Sequence, residues 1–141
     1  MGNYFDLLGN DYSNFIQIMA IISYFFQAFS FYKLAEKAKV KNSWLSFIPF
    51  LQFIIFFHII DKSALNILLY FLAIIPLIGA IILIVLNIIW KVDFYKRFKT
   101  DTIFIVLCII IPFFEWVYLI YMALSANVRY QGENRFGENA F

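Results

Sequence analysis

From Ala64 to Trp90 the chain runs for 27 residues without a formal charge. Roughly 20 apolar helical residues cross a hydrocarbon core about 30 Å thick, so a run of this length and purity belongs in a membrane rather than in a soluble core. Its centre holds Ile75-Pro76-Leu77-Ile78-Gly79, and the phrase recurs as Ile48-Pro49-Phe50-Leu51-Gln52 and Ile111-Pro112-Phe113-Phe114-Glu115. Composition points the same way. Hydrophobic residues make up 64% and charged residues 14%, far from the roughly half and one quarter of soluble domains. One small membrane domain is expected. The net charge of +2 is too slight to argue for a nucleic-acid partner. The single cysteine, Cys108, lies in an apolar run and reads as a small core residue.

Three further stretches read as spans. The first covers about residues 15–32, interrupted only by Gln17, Ser23, Gln27 and Ser30. The charged run from Lys33 to Lys41 follows without Gly or Pro, so the helix is expected to continue as a basic extension until Asn42-Ser43 supply a turn and an N-cap. The second, 44–60, is at the short limit for a span and ends at Asp61-Lys62. Ser63 is placed to cap the third, 64–90, which at 1.5 Å per residue extends roughly 40 Å and needs a tilt, a kink at Pro76 or a broken helix. A hairpin of two half-helices meeting at Pro76 to Gly79 is the alternative. The fourth, 102–124, follows the basic loop from Lys91 to Lys99. The fold class expected is therefore an all-α membrane protein of four transmembrane helices with proline kinks. An extracytoplasmic N-terminus, 1–14, precedes it and a flexible extracytoplasmic tail, 125–141, follows it.

Charge sets the expected orientation. The N-terminus carries Asp6 and Asp11 but no lysine or arginine, unlike a secretory signal, so no cleavage is expected. Asp6 also stands where a myristoylation motif wants Ser or Thr. Of the eleven lysines and arginines, Lys33, Lys37, Lys39, Lys41, Lys91, Lys96, Arg97 and Lys99 fall in two loops, against Lys62, Arg129 and Arg135 elsewhere. The positive-inside rule then gives N-out, C-out in a bacterial cytoplasmic (inner) membrane, with Trp44 and Trp90 at the cytoplasmic interface. Lys33, Lys37, Lys39, Lys41, Lys96, Arg97 and Lys99 are candidate lipid-headgroup contacts, each worth up to about 1 kcal/mol.

Within a spanning helix each proline frees the carbonyl four residues earlier, at Leu45, Leu72 and Cys108 for Pro49, Pro76 and Pro112. Three residues after each comes Gln52, Gly79 or Glu115, on the same helical face. These six residues are the candidate kink and polar sites. Gly79 is expected to admit a neighbouring helix and Gln52 to bond one. Glu115 is the only acid deep in an expected span, a costly placement that points to function unless Gln52, Gln27 or Ser23 ties it down. His58 reads as interfacial, and Asn66 and Asn87 as satisfying helix ends. No nucleophile–base set, phosphate-binding glycine loop, metal motif or cysteine pair is present in the sequence, so neither enzymatic activity nor a cofactor is expected.

From about Ala35 to Gly132 the chain resembles an uncharacterised family of small multi-pass bacterial membrane proteins, found alone or fused to type I signal peptidases. The resemblance rests on Lys41-Asn42-Ser43-Trp44 with Ile48-Pro49-Phe50-Leu51-Gln52, on Asp61-Lys62-Ser63 leading to Ile75-Pro76, on Arg97-Phe98-Lys99 with Ile111-Pro112-Phe113-Phe114, and on Tyr130-Gln131-Gly132. The family pattern has glycines where Asn42-Ser43 stand, and Asn where Gln52 and Gly79 stand. The resemblance implies a four-span fold and no established activity. Peptidase activity is not carried over, since no appended domain supplies a catalytic serine and lysine.

The expected function is that of a small non-catalytic integral membrane protein, an accessory or structural subunit of a larger membrane or secretion-related assembly. Its partners would be the lipid bilayer and another membrane protein or a second copy. The competing expectation is a small oligomeric transporter or channel using Glu115 and Gln52 in a polar path.

Overall fold

The computed structural model describes the backbone of residues 2–135 and the side chains of residues 11–135. Met1, the side chain of Asp6 and residues 136–141, the end of the expected tail, lie outside the described residues. Among those described every element is helical: α1 (Gly2–Lys37), α2 (Pro49–Ile59), α3 (Ile78–Arg97), α4 (Thr102–Ile110) and α5 (Pro112–Leu124), with 3₁₀ helices at Ser43–Phe47 and Ala64–Ile74.

The described residues do not form four proline-kinked spans. Two helices, Asp11–Lys37 and Ile78–Arg97, are long and apolar enough to cross a membrane, or three if Pro49–Ile59 and Ala64–Ile74, bent by 119°, count as one broken span. The reason is that the Ile-Pro phrases turn the chain back instead of kinking it. Tyr70 reaches Asn87 within 3.2 Å, so the stretch expected as 64–90 is a hairpin folded at Pro76. In the stretch expected as 102–124, the Phe104 ring lies 5.5 Å from that of Tyr118, again a fold-back. At the first phrase the carbonyl of Phe47 accepts from Tyr24, while Phe56 packs on Phe31, nearer the Lys37 end.

The three turns share one backbone solution. Ile48, Ile75 and Ile111 are all extended, the conformation that a following proline imposes. Pro49 and Pro112 then open α2 and α5 at the first turn, where a missing N–H costs nothing. The N–H of Gln52, Gly79 and Glu115 donates to the carbonyl of Ile48, Ile75 and Ile111 at 2.9, 3.1 and 3.1 Å. Leu45 and Leu72, whose carbonyls a straight helix would leave open, accept from Ile48 and Ile75, both at 3.0 Å. The middle turn is the tightest. Leu77 sits at φ 62 and ψ −63, with the Ile78 N–H donating to the Pro76 carbonyl at 2.8 Å, a strained γ-turn. A Cβ on Gly79 would stand 1.8 Å from the Leu72 carbonyl oxygen, so only glycine fits. The helix that Gly79 admits is the other arm of its own hairpin.

The opposite end repeats too. Helices α1, α2 and α3 each finish with a left-handed residue, Lys39, Asp61 and Lys99, at φ 55, 56 and 55. In each the next N–H reaches back five residues, from Val40 to Ala35, Lys62 to Phe57 and Thr100 to Tyr95. These are three Schellman caps.

Residues 125–135 lie across these loops, at the basic end and not at the opposite one. Lys37 donates to the carbonyls of Met122 and Ser125 at 2.5 and 2.7 Å, covering the open end of α5. Tyr130 donates to the Ile59 carbonyl, the Gln131 N–H to that of Arg97, and Asn134 to that of Ala38. One strap therefore bonds all three loop regions. Burial raises the Tyr130 phenol above its ordinary range, opposed by the Arg97 guanidinium beside it, which keeps the phenol a donor.

The core lies toward this end. Phe94 packs against Phe31, Phe56, Tyr95 and Phe98. Trp90, expected at the interface, is 3% exposed and meets Phe57 edge-on at 4.8 Å, because the hairpin turns its face inward. Trp44 is 58% exposed.

Candidate functional site

Between α1, α2, α3 and α5 lies a cavity of about 200 Å³. Gln27 reaches it from α1, Gln52 from α2, Asn87, Lys91 and Tyr95 from α3, Glu115 from α5, and Tyr70 from the second 3₁₀ helix. Phe31, Phe53, Phe56, Phe94, Trp116 and Leu119 complete the wall. The polar groups are thus ringed by aromatic ones.

Local structure sets this up. Gln52 and Glu115 occupy equivalent places three residues past their turning prolines, so each sits in the first turn of a half-helix that starts inside the apolar region. Asn87, Lys91 and Tyr95 recur every four residues along α3 and so share a face. The Lys91 ammonium meets Glu115 Oε2 at 2.6 Å, with side chains 35% and 18% exposed. The Tyr95 hydroxyl donates to Oε1 of the same carboxylate at 3.2 Å. Asn87 donates to the Leu83 carbonyl and accepts from Tyr70. The side-chain nitrogen of Gln52 is buried and has no hydrogen-bond partner.

The structure thus brings together two of the six residues proposed from the prolines, Gln52 and Glu115. Pro49, Pro76 and Pro112 stand at the exposed turns, and Gly79 is buried against Leu72. Glu115 is bonded to neither Gln52, Gln27 nor Ser23 but to Lys91 and Tyr95. Those two are what sequence reasoning missed. Lys91 looks like a loop residue because it directly follows the uncharged run, although the Asn87-Lys91-Tyr95 spacing is a polar stripe visible in the sequence.

The candidate headgroup lysines divide. Lys37 is used internally, Arg97 bonds Tyr130 and pairs with Asp93, and Lys33 pairs with Glu36. Lys39, Lys41, Lys96 and Lys99 are exposed at the same end. His58 is buried in the last turn of α2, just before Asp61-Lys62. Ser63 caps its helix as expected. Asn66 satisfies a helix-end carbonyl, that of Ser63, whereas Asn87 bridges two arms of a hairpin.

Residues 44–133 match a family described as a family of unknown function (DUF5684). No curated protein and no solved structure matches the chain.

Proposed function

We propose that this chain, which belongs to the DUF5684 family of unknown function, is a small integral membrane protein that binds a small polar group at mid-bilayer depth and passes it across or along the membrane. The observation that carries this reading is the Lys91–Glu115 pair in a cavity that also gathers three amide side chains from three helices. Charges within a bilayer are expensive, and transport and binding sites are where they are retained. Half-helices that begin inside the membrane and point polar first turns at a common site are the means by which transporters build such sites.

The topology that accompanies this reading is one span by α1 and three hairpins that enter and leave at the basic end. All the lysines and arginines except Lys91 then face one side, which the positive-inside rule makes cytoplasmic. The inner membrane of a bacterium is the matching location.

Access to the cavity tests the proposal. With Cys108→Ala as background, Gln52→Cys should react with a small charged thiol reagent in right-side-out and in inside-out vesicles. Absence of labelling from both sides would defeat it.

The accessory-subunit reading draws on a different feature. Tyr12, Phe15, Ile16, Ile18 and Met19 on the far half of α1 are about half exposed or more among the described residues. Stoichiometric co-purification of a second membrane protein in mild detergent would support it, and a lone monomer would not.

A further inference from the structure

We infer that the chamber is the head site for a single-chain carboxylic acid, whose aliphatic tail lies in the gap between α3 and α4. This rests on the reading of the chamber as a binding site and narrows its ligand.

A second cavity, of about 270 Å³, adjoins the first and is lined by Leu83, Ile84, Asn87, Ile88, Lys91 and Ile109. Asn87 and Lys91 belong to both linings. One side of these two residues is therefore polar and enclosed by aromatic rings, while the other is aliphatic. Ile84 and Ile88 are 60% and 41% exposed, so the aliphatic side opens on the surface that lipid covers. A polar chamber joined to an apolar, laterally open groove suits an amphiphile. A solute arriving from water would need no aliphatic groove beside its site.

Hydrogen-bonding capacity sets the sign of the head. Both oxygens of Glu115 already accept, one from Lys91 and one from Tyr95. The chamber also holds donors with capacity to spare: the buried, unpartnered Gln52 nitrogen, and the N–H groups of Lys91 beyond the one given to Glu115, out of the three that an ammonium carries. Unpartnered donors of this kind favour an acceptor head over an amine head. A chamber of about 200 Å³ has room for a carboxyl group and its first methylenes.

The charge balance closes with a carboxylic acid. The acid enters from the bilayer in its neutral form and gives its proton to the Glu115 carboxylate. Its own carboxylate then takes the Lys91 ammonium, and protonated Glu115 remains bonded to Tyr95. One O–H bond breaks, one forms, and no net charge enters the membrane. The titratable groups facing Glu115 are Lys91 and Tyr95 from α3 and the Cys108 thiol from α4.

The test is equilibrium binding of radiolabelled dodecanoate to the full chain in phosphatidylcholine nanodiscs. Saturable binding at one per chain, undisplaced by dodecyltrimethylammonium, is expected. A charge-assisted hydrogen bond corresponds to roughly tenfold or more in affinity, so Lys91→Met should weaken binding by at least about that factor while Lys91→Arg retains it. Ile109→Trp, which fills the groove, should abolish dodecanoate binding and leave thiol labelling of Gln52→Cys unchanged. Displacement by dodecyltrimethylammonium, or full binding by Lys91→Met or Ile109→Trp, overturns the inference. If dodecanoate fails to bind while Gln52→Cys labels normally, the inference falls and the chamber reading stands. If neither occurs, both fall.

Discussion

Tyr70 donates its phenolic hydrogen to Oδ1 of Asn87 across 3.2 Å, although a turn at Pro76 separates them in sequence. In one continuous helix residues 17 apart would stand roughly 25 Å from each other. Paired cysteines at 70 and 87, in a Cys108→Ala background, should therefore be joined by a short bifunctional thiol reagent in intact membranes. Failure to cross-link would restore the single long span.

The middle turn should tolerate little. Gly79→Ala places a methyl group on the Leu72 carbonyl, and because the obstacle is backbone we expect a loss of about 3 kcal/mol in unfolding in detergent. Leu77→Gly should do the reverse, gaining about 1 kcal/mol by relieving the positive φ. A neutral Gly79→Ala would mean that the two arms are farther apart than described.

Lys39 and Lys99 hold left-handed conformations that favour glycine. Each substitution by glycine is expected to raise stability by about 0.5–1 kcal/mol, the relief of strain less the entropy that glycine adds to the unfolded chain. Thermal melts of the two single variants and the double would show it, the two sites being independent enough to add.

Lys91 and Glu115 should be coupled. Removing one partner strands the other charge, whereas removing both does not, so Lys91→Met and Glu115→Leu are each expected to cost about 2 kcal/mol and the double variant much less than the sum. Additive costs would show that the contact carries no energy.

The strap should loosen with Tyr130→Phe, which removes a donor to the Ile59 carbonyl and the partner of Arg97. About 1 kcal/mol is expected, read as faster tryptic cleavage at the exposed Arg129. The folded Tyr130 titrates above its unfolded value. Its contribution is therefore full below the unfolded value and is lost as pH rises through the folded one. Cleavage should accelerate only at strongly alkaline pH, and Tyr130→Phe should remove that dependence.

The helical class, the length of apolar chain and the three prolines as the places where a straight helix fails could be read from the residues alone, because uncharged length and proline act locally. Whether a proline bends a helix or reverses the chain is not local. It depends on partners such as Leu72 and Gly79, which touch only once the arms have met. The reversal moved everything that followed: Trp90 went from the interface to the core, Lys91 from a loop to the chamber, and residues 125–135 to the basic end. Gln52 and Glu115 were recognisable by their place after proline, but Lys91 and Tyr95 needed the folded hairpins to become their neighbours.

The three Schellman caps and the strap that bonds them bear on how the protein is made. Hairpins that return to the end they started from require no basic loop to be hauled through the bilayer, where a lysine or arginine costs about 2.5–3.5 kcal/mol at mid-depth. In the topology proposed above, only the leading part of α1, where lysine and arginine are absent before Lys33, would be exported. The remainder would then enter from the ribosome's side, one hairpin at a time.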